Sequence, residues 1–324
     1  MKATAKAHTN IALIKYWGKR NEILKLPMNN SLSLTLDALY TKTTVEFQSD
    51  LENDTFYLNG NVKQGTSLQR VKDFLHLIRR ASGKNEYALV QSENKVPTAA
   101  GFASSASGFA ALAAAATKAV GMDLNDKDLS RLTRQGSGSA CRSIYGGFVE
   151  WQQGKELDGS DSFAVQLERE NYWDIRVAAV VLFEEEKTVS SSEGMKRTVD
   201  TSVFYQGWVD SIPADLNAMK AGIQEKDFEK VGTIAEANCL RMHGTTLGSN
   251  PPFTYWLHGT LAVMETVQKM RREGIPVYFT IDAGPNVKVL YLPEHEEIVK
   301  EALHAIPGVT NLVLSRLGQG ITYS

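Results

Sequence analysis

Residues 97–107 read Pro-Thr-Ala-Ala-Gly-Phe-Ala-Ser-Ser-Ala-Ser, and they join a strand-like segment to an alanine-rich segment with helical character. Their small side chains let the backbone approach a ligand closely. The first turn of the following helix would direct free N–H groups and the positive end of its dipole at an anion. Serine hydroxyls can bind phosphate oxygens or a magnesium ion. The stretch predicts a phosphate-binding loop, although a capped helix that only packs its small residues would have the same composition.

On both sides of this loop, strand-like and helix-like segments mix without an internal repeat. Residues 31–47 alternate apolar and polar side chains over two strand lengths, which indicates a hairpin. The other predicted strands are residues 4–17, 87–92, 144–151, 173–183, 277–281, 287–292 and 310–314. The predicted helices are residues 68–80, 105–120, 124–135, 200–211, 212–224, 227–241, 257–272 and 294–305. This mixture predicts the α+β class, with mixed sheets and packed helices.

The length of 324 residues is more than one hydrophobic core usually serves, so two lobes are expected. An acidic-to-basic, serine-rich stretch begins at residue 184. We place the boundary there. The predicted lobes are an N-terminal lobe of residues 1–186, which contains the phosphate-binding loop, and a C-terminal lobe of residues 187–324. The last strand could return to the first lobe.

Composition and charge exclude several classes of protein. The formal net charge is −2, so no basic excess indicates nucleic acid or an anionic membrane as a partner. Residues 96–117 are uncharged, but they contain too much Ala, Gly, Ser and Thr for a membrane-spanning helix. The two cysteines, Cys141 and Cys239, show neither metal-ligand nor disulfide spacing. We expect a soluble, cytoplasmic protein with reduced thiols.

A second group of charges follows the first predicted strand, where residues 10–20 read Asn-Ile-Ala-Leu-Ile-Lys-Tyr-Trp-Gly-Lys-Arg. Lys15 and Lys19 are point charges for a phosphate or carboxylate, and the Tyr16 hydroxyl can donate a hydrogen bond. Taken alone, the segment is more simply explained as a solvated basic turn beside a packed tryptophan.

Residues 136–143 read Gly-Ser-Gly-Ser-Ala-Cys-Arg-Ser and combine two hydroxyls with one guanidinium. Ser137 and Ser139 are suited to phosphate oxygens, and Arg142 to a bidentate grip of a carboxylate. The alternative, which the residues favour about equally, is a glycine turn in which Arg142 forms a structural ion pair. Cys141 is interpreted as a packing thiol because no histidine lies in any of the motifs.

Asp282 enters a turn in the segment Phe-Thr-Ile-Asp-Ala-Gly-Pro-Asn, residues 279–286. From the residues alone, it is most simply a turn aspartate that bonds its own backbone.

Together, the four segments resemble one family. The string Pro-x-x-x-Gly-x-x-Ser-Ser-Ala resembles the ATP loop of the galacto-, homoserine, mevalonate and phosphomevalonate kinase superfamily, with Phe102 where Leu is usual. Asn-Ile-Ala-x-x-Lys-Tyr-Trp-Gly-Lys-Arg resembles the signature of mevalonate diphosphate decarboxylases. The other two segments agree in order and spacing, so the resemblance covers essentially the whole chain. It implies a two-lobed, small-molecule-kinase-like fold with the active site in the cleft between the lobes.

The resemblance also implies an activity and its residues. The expected reaction is ATP-dependent decarboxylation of mevalonate 5-diphosphate, with Mg2+, by a homodimer. The implied catalytic residues are Asp282, Lys15 and Arg142. The implied substrate-binding residues are Tyr16, Lys19, Ser137, Ser139, Arg142, Ser191 and Ser192. The implied ATP-binding residues are Ser92, Asn94, Pro97, Gly101, Phe102, Ala103, Ser104, Ser105, Ala106, Ser107 and Lys187, with Ser105 as a magnesium ligand.

Three alternatives stay open at this point. A kinase of the same superfamily would stop at the 3-phosphate, and a phosphomevalonate decarboxylase would use a related substrate. A non-catalytic ligand sensor on the same fold ranks last, because Asp282 and the loop serines are present.

The polar residues 187–192 are expected either to close over the active site or to form a solvated linker.

Overall fold

The computed structural model describes residues 1–95, 104–182 and 188–324 of the chain. The elements of the first half are β1 (Lys2–Ile14), β2 (Lys19–Asn21), β3 (Leu26–Pro27), β4 (Ser31–Gln48), β5 (Thr55–Leu58), β6 (Asn61–Val62), α1 (Gly65–Ser82), β7 (Tyr87–Asn94), α2 (Ser104–Ala119), α3 (Asp126–Gly136), a 3-10 helix (Gly138–Ile144), β8 (Phe148–Trp151) and β9 (Ala164–Glu168). Those of the second half are β10 (Arg176–Val181), α4 (Ser191–Thr201), α5 (Tyr205–Glu225), α6 (Phe228–Leu247), α7 (His258–Arg272), β11 (Val277–Ile281), β12 (Val287–Tyr291), a 3-10 turn (Pro293–His295), α8 (Glu296–His304), β13 (Asn311–Ser315) and β14 (Thr322–Tyr323).

The larger sheet is built around β4 and has the order β14-β1-β4-β7-β5-β6, with β8 and β9 attached beside β4. The predicted hairpin over residues 31–47 is wrong, because β4 is one continuous strand of 18 residues. Its alternation is broken near residue 38 by a register shift against β1, between His8 and Thr9. A bulge and a turn interrupt a period of two in the same way, and no glycine or proline marks a turn here.

Helix α2 packs its alanines against this sheet. Residues Ala110, Ala111 and Ala113–Ala116 are fully buried in one core with side chains of β1, β4 and α1. Methyl groups allow the helix axis to lie close to the strands, which fixes the position of its N-terminus. No helix in the described part of the chain is long and apolar enough to cross a membrane.

The smaller sheet has the order β11-β12-β10-β13 and is antiparallel throughout. A large core of buried side chains from β1, β4, β10, α5 and α6 joins it to the first sheet. The predicted last strand, residues 310–314, is β13 in this smaller sheet. The short strand β14, which the sequence did not reveal, returns to pair with β1 in the larger sheet. The division at residues 186 and 187 stays a prediction.

The helices after residue 188 correct a second expectation. A predicted break between residues 211 and 212 is absent, since α5 is continuous through Pro213. Proline inside a helix costs about 3 kcal/mol. The apolar stripe of α5, formed by Trp208, Ile212, Met219 and Ile223, is buried, and this burial offsets the cost of the proline. Helix α4 is a further correction, because the sequence pattern predicts no helix before residue 200 in this stretch, whereas α4 spans Ser191–Thr201. The Ser190 side chain caps it by accepting a hydrogen bond from the Glu193 N–H.

Candidate active site

A cleft of about 570 Å³ opens where the two sheets meet. The turn after β1, the start of α2, the junction of α3 with its 3-10 helix, the first turn of α4 and the β11–β12 turn line it. The predicted site residues in this lining are Lys15, Tyr16, Lys19, Ser105, Ser137, Ser139, Arg142, Ser191, Ser192 and Asp282. Folding therefore gathers side chains from five separate segments, although the sequence only showed that each segment was unusual.

Asp282 lies in this cleft within an ion pair. The Lys15 ammonium, which is 2% exposed, donates a hydrogen bond of 2.6 Å to Asp282 Oδ1 and one of 2.8 Å to the Ala12 carbonyl. Asp282 Oδ2 is buried and accepts no hydrogen bond from the described residues, although Lys288 Nζ forms an ion pair with it at 3.4 Å. A buried carboxylate oxygen with no hydrogen-bond donor beside it is suited to accept a bond from a hydroxyl bound in the cleft.

The two lysines keep this carboxylate ionised. Burial alone would raise the pKa of Asp282, but the nearby charges of Lys15 and Lys288 outweigh it and hold the pKa well below its usual range. Burial and the charge of Lys15 lower the pKa of Lys288, while Asp282 raises it. Sequence reasoning missed Lys288. Its position six residues after Asp282, on β12, was the available signal.

Arg142 is a buried guanidinium without an acidic partner among the described residues. It is 3% exposed, and its N–H groups donate to Asn10 Oδ1 at 3.1 and 3.0 Å and to Ser31 Oγ at 2.6 Å. Asn10 in turn donates to the Ser139 carbonyl and to Ser143 Oγ, so its amide orientation is fixed. The structural ion pair that was the alternative for Arg142 is not formed within the described ranges. A buried cation held only by neutral groups favours an anionic ligand.

Tyr16 presents a second unpaired polar atom. Its ring packs on Trp151 at a centroid distance of 4.7 Å, and its hydroxyl is buried with no hydrogen-bond partner in the described part of the chain. The chain leaves room for that hydroxyl at Gly138, where a Cβ would lie 2.8 Å from Tyr16 Oη. Burial raises the pKa of Tyr16, so the phenol stays protonated and remains a donor.

Serine hydroxyls and a lysine lie along the same cleft. Ser105 Oγ, on the first turn of α2, is 3.4 Å from Ser137 Oγ. Lys19 is only 7% exposed and bonds to the exposed carboxylate of Glu22 at 2.6 Å. Ser191 and Ser192 lie on the first turn of α4, whose N–H groups add a positive dipole end to the cleft.

Other predicted residues lie elsewhere or outside the described part. Ser92 bonds to Thr43, Asn94 accepts from Thr41, and fully buried Ser107 bonds to Thr41 at 2.8 Å. These three residues and the buried Ala106 do not belong to the cleft lining. Pro97, Gly101, Phe102, Ala103 and Lys187 lie outside the described residues, as does the side chain of Ser104. Their predicted roles stay predictions.

Cys141 is a packing thiol in its contacts. It is fully buried among Val149, Trp151 and Ala164. Burial raises the pKa of this thiol to about 12, so it stays protonated and is a poor nucleophile.

Two further cations in the lining were not predicted. Lys25 is half-buried in the β2–β3 turn beside the end of α3, and Arg70 lies on α1 with its guanidinium 4.9 Å from the centre of the Phe109 ring. Neither belongs to a recognisable motif. Only the packing of α1 and the β2–β3 turn against α3 brings them to the cleft.

Comparison with known proteins agrees with this geometry. Residues 7–164 match the family model of the diphosphomevalonate decarboxylase-like N-terminal domain. Residues 177–316 match that of the mevalonate 5-diphosphate decarboxylase C-terminal domain. The chain belongs to the mevalonate diphosphate decarboxylase family. The family predicted from the four motifs is thereby confirmed.

Individual relatives are similar over nearly the full length. The diphosphomevalonate decarboxylase of Schizosaccharomyces pombe is 40% identical over 322 residues, which cover 94% of this chain and 82% of the relative. A solved structure of MDDEF in complex with MVAPP, AMPPCP and magnesium is 51% identical, with a TM-score of 0.94 and coverage of 100% and 99% of the two chains. A structure of the mevalonate diphosphate decarboxylase from Enterococcus faecalis, concerning mevalonate diphosphate-mediated ATP binding, is 50% identical, with a TM-score of 0.93 and the same coverage. The predicted fold class is confirmed by these matches.

Proposed function

We propose that this chain decarboxylates mevalonate 5-diphosphate at the expense of ATP, giving isopentenyl diphosphate, CO2, phosphate and ADP. The observation that carries the proposal is Asp282 Oδ2, which has no hydrogen-bond partner among the described residues and is held ionised by Lys15 and Lys288. It lies in the same cleft as the buried Arg142, which has no acidic partner in the described ranges. The relatives bear out the predicted activity, since their names are those of the decarboxylase and the MDDEF complex contains MVAPP, AMPPCP and magnesium.

The chemistry explains why a phosphoryl group is needed for a decarboxylation. Loss of CO2 pushes an electron pair toward C3, but a tertiary hydroxide is a poor leaving group. Phosphorylation of that oxygen makes it a good one. When the phosphate departs with the C–O pair, the electrons of the breaking carboxylate C–C bond form the alkene.

Asp282 orients the 3-hydroxyl in this scheme. A carboxylate with a pKa below about 4 is a weak base toward an alcohol. Its Oδ2 therefore accepts the hydroxyl hydrogen bond first and takes the proton late, as the bond from oxygen to phosphorus forms. The adjacent charge of Lys15 keeps Asp282 ionised until then.

Arg142 is proposed to hold the substrate carboxylate, and the other donors to hold the diphosphate. The guanidinium is oriented by Asn10 and Ser31 before the ligand arrives, so little side-chain entropy is lost on binding. Tyr16, Lys19, Ser137 and Ser139 supply a phenol, an ammonium and two hydroxyls for phosphate oxygens.

The residues present also fit ATP and Mg2+. The Ser105 hydroxyl and the N-terminus of α2 reach the cleft and suit a nucleotide phosphate, with Ser105 as the proposed magnesium ligand. The described residues contain no group of three His, Cys, Asp or Glu side chains that could hold a metal by themselves. This fits a magnesium ion held mainly by phosphate oxygens, which neutralises charge on the transferred group. The proposed nucleotide contacts of residues 97–104 and Lys187 rest on the sequence motif, and those of Ser92 and Asn94 on their neighbourhood to it.

Four broader expectations belong to the same proposal. We propose a homodimer in the cytoplasm that binds no nucleic acid, with an ATP-binding lobe of residues 1–186 and a second lobe of residues 187–324. The net charge of −2 supports the lack of a nucleic-acid partner. Light scattering of the purified chain tests the dimer.

Product analysis separates this proposal from its alternatives. The chain is incubated with ATP, Mg2+ and, side by side, mevalonate 5-diphosphate, mevalonate 5-phosphate and mevalonate. Of the three compounds, only mevalonate 5-diphosphate is expected to release CO2. A stable phosphorylated product without CO2 would identify a kinase, CO2 from the monophosphate a phosphomevalonate decarboxylase, and ATP binding without ADP release a sensor.

A further inference from the structure

Lys25 occupies a position in the cleft that the proposed reaction has not yet used. Its backbone has a φ of 50°, in the left-handed region that favours glycine or asparagine. Such a conformation costs a non-glycine residue about 1 kcal/mol or more and is found preferentially at functional sites. A lysine in the turn that precedes β3 is therefore conformationally unfavourable.

The ammonium group of Lys25 has three hydrogens and two hydrogen-bond partners among the residues that the structure describes. It donates at 2.5 Å to the Gln135 carbonyl and at 2.6 Å to the Gly136 carbonyl, the last residues of α3. An ammonium can donate three hydrogen bonds. One donor remains, in a cleft-lining side chain beside the carbonyls that directly precede Ser137.

The charges around Lys25 favour an added anion. Arg70 on α1 and Lys19 at the start of β2 repel it, while Asp73 on α1 and Glu22 attract it. The Glu22 carboxylate is bonded to Lys19 at 2.6 Å, and Asp73 accepts from Gln69 at 2.8 Å. No carboxylate forms a salt bridge with Lys25 in residues 1–95, 104–182 and 188–324. Burial, Arg70 and Lys19 lower the pKa of Lys25 to about 8.

We propose that Lys25 binds a phosphate oxygen of the substrate's diphosphate group and thereby sets the preference for the diphosphorylated over the monophosphorylated substrate. The inference rests on the proposed function. Lys19, Ser137 and Ser139 line the same cleft as Lys25, whose ammonium is bonded to the Gly136 carbonyl directly before Ser137. The third N–H of this ammonium is therefore proposed to meet the same group that they bind. The second phosphate of the diphosphate adds negative charge where Lys19, Lys25 and Arg70 lie close together. A monophosphate brings less negative charge to this place.

Capping of α3 is the competing role for Lys25. A cation at the last carbonyls of a helix stabilises the helix end without any ligand. The two roles differ in what they change. A cap affects the stability of the free protein and treats all substrates alike, whereas a phosphate ligand affects the ratio of affinities for diphosphate and monophosphate.

Calorimetric titration without ATP measures these affinities apart from turnover. Mevalonate 5-diphosphate and mevalonate 5-phosphate are titrated into the wild type, Lys25→Met, Lys25→Arg and the exposed control Lys269→Met. We expect Lys25→Met to weaken binding of the diphosphate about tenfold or more and that of the monophosphate less than threefold. Lys25→Arg and Lys269→Met are expected to stay within threefold of the wild type.

A pH series gives a second readout that does not require Lys25→Met to fold. Phosphate groups are fully ionised by pH 8, since their second pKa is about 6. The Lys25 amine must carry its proton to bind a phosphate oxygen. Because its pKa is about 8, this proton is lost as the pH rises above 8. Affinity of the wild type for the diphosphate should fall about fivefold between pH 8 and 9, as the protonated fraction of Lys25 falls from about one half to about one eleventh. Lys25→Arg, which stays charged, should not show this fall.

Three outcomes would overturn the inference. They are equal weakening of both ligands in Lys25→Met, the same pH dependence in Lys25→Arg as in the wild type, and a raised KM for ATP with unchanged binding of the diphosphate. If instead the wild type neither binds mevalonate 5-diphosphate nor releases CO2 from it, the proposed function itself fails, and the two failures are therefore distinct.

Discussion

Two groups of cations lie in the lining of the cleft or directly behind it, and they differ in which groups neutralise their charge. Lys15 and Lys288 share the carboxylate of Asp282 and are almost fully buried. Arg142 and Lys25 have no carboxylate partner among the described residues and are held by amide, hydroxyl and carbonyl oxygens. In the first group the protein supplies the negative charge itself, which fixes the protonation state of a reacting group. In the second group the charge is left to be supplied by a ligand, which makes these residues a binding surface.

Removal of the shared carboxylate should have the largest effect. We expect Asp282→Asn to lower kcat about a thousandfold or more, because the amide cannot take the hydroxyl proton. The KM for mevalonate 5-diphosphate should stay within a few-fold, since the ligand-binding cations are intact. CO2 release and ADP formation measure both parameters. Asp200→Asn, on the exposed side of α4, is the control. Full turnover in Asp282→Asn would contradict the role assigned to the carboxylate.

Replacement of the unpaired guanidinium should come next. We expect Arg142→Lys to lower kcat/KM about a hundredfold, because an ammonium cannot hold Asn10, Ser31 and a carboxylate in one plane. Isopentenyl diphosphate lacks the carboxylate, so its affinity should change little. Calorimetry of that product, beside steady-state kinetics with the substrate, separates the two. Equal losses for substrate and product would place Arg142 on the diphosphate instead.

The second lysine of the paired group should have a smaller effect that depends on pH. Lys288→Met removes one positive charge beside Asp282, so the pKa of the carboxyl should rise toward its usual range. We expect kcat to fall about tenfold and the acid limb of kcat/KM to move to higher pH, because protonated Asp282 is inactive. Lys288→Arg should restore the wild-type limb. A lowered kcat with an unmoved limb would mean that Lys288 acts through packing alone.

The smallest expected effect has opposite signs for stability and binding. Tyr16→Phe removes a buried hydroxyl that has no partner among the described residues, so the free energy of unfolding should rise by up to about 1 kcal/mol. The KM for the substrate should rise about threefold as a donor is lost. Tyr205→Phe is the matched control for stability. Its hydroxyl donates to the Trp17 carbonyl at 2.8 Å, so its loss should destabilise by about 1 kcal/mol. Denaturant unfolding of both variants tests the pair, and destabilisation by Tyr16→Phe would show that its hydroxyl has a protein partner.

Local pattern was informative where one short segment carries both the backbone geometry and the reacting groups. The Lys15–Arg20 turn, the Ser137–Arg142 segment and the Asp282 turn each keep their polar side chains adjacent in the chain. Their combined resemblance to one family could therefore be recognised from the sequence, although each segment alone had a structural explanation. The prediction of secondary-structure elements was less accurate where two different structures produce the same alternation of apolar and polar residues. The alternation in β4 fits a hairpin and a bulged strand alike, and the Ser190 cap of α4 was overlooked although Glu193 follows it at the spacing of a capping box.

The sequence by itself determined the family, the α+β class and the chemical types gathered for the reaction, because short motifs keep their residues adjacent. Only the tertiary structure decided which charges are paired. Lys15 and Asp282 are 267 positions apart, and Arg142 and Asn10 are 132 apart. No local pattern reports such contacts, since they arise from the packing of whole sheets and helices. For the same reason Lys25 and Lys288, ordinary lysines in the chain, acquire their meaning only from the carbonyls and the carboxylate that folding places beside them.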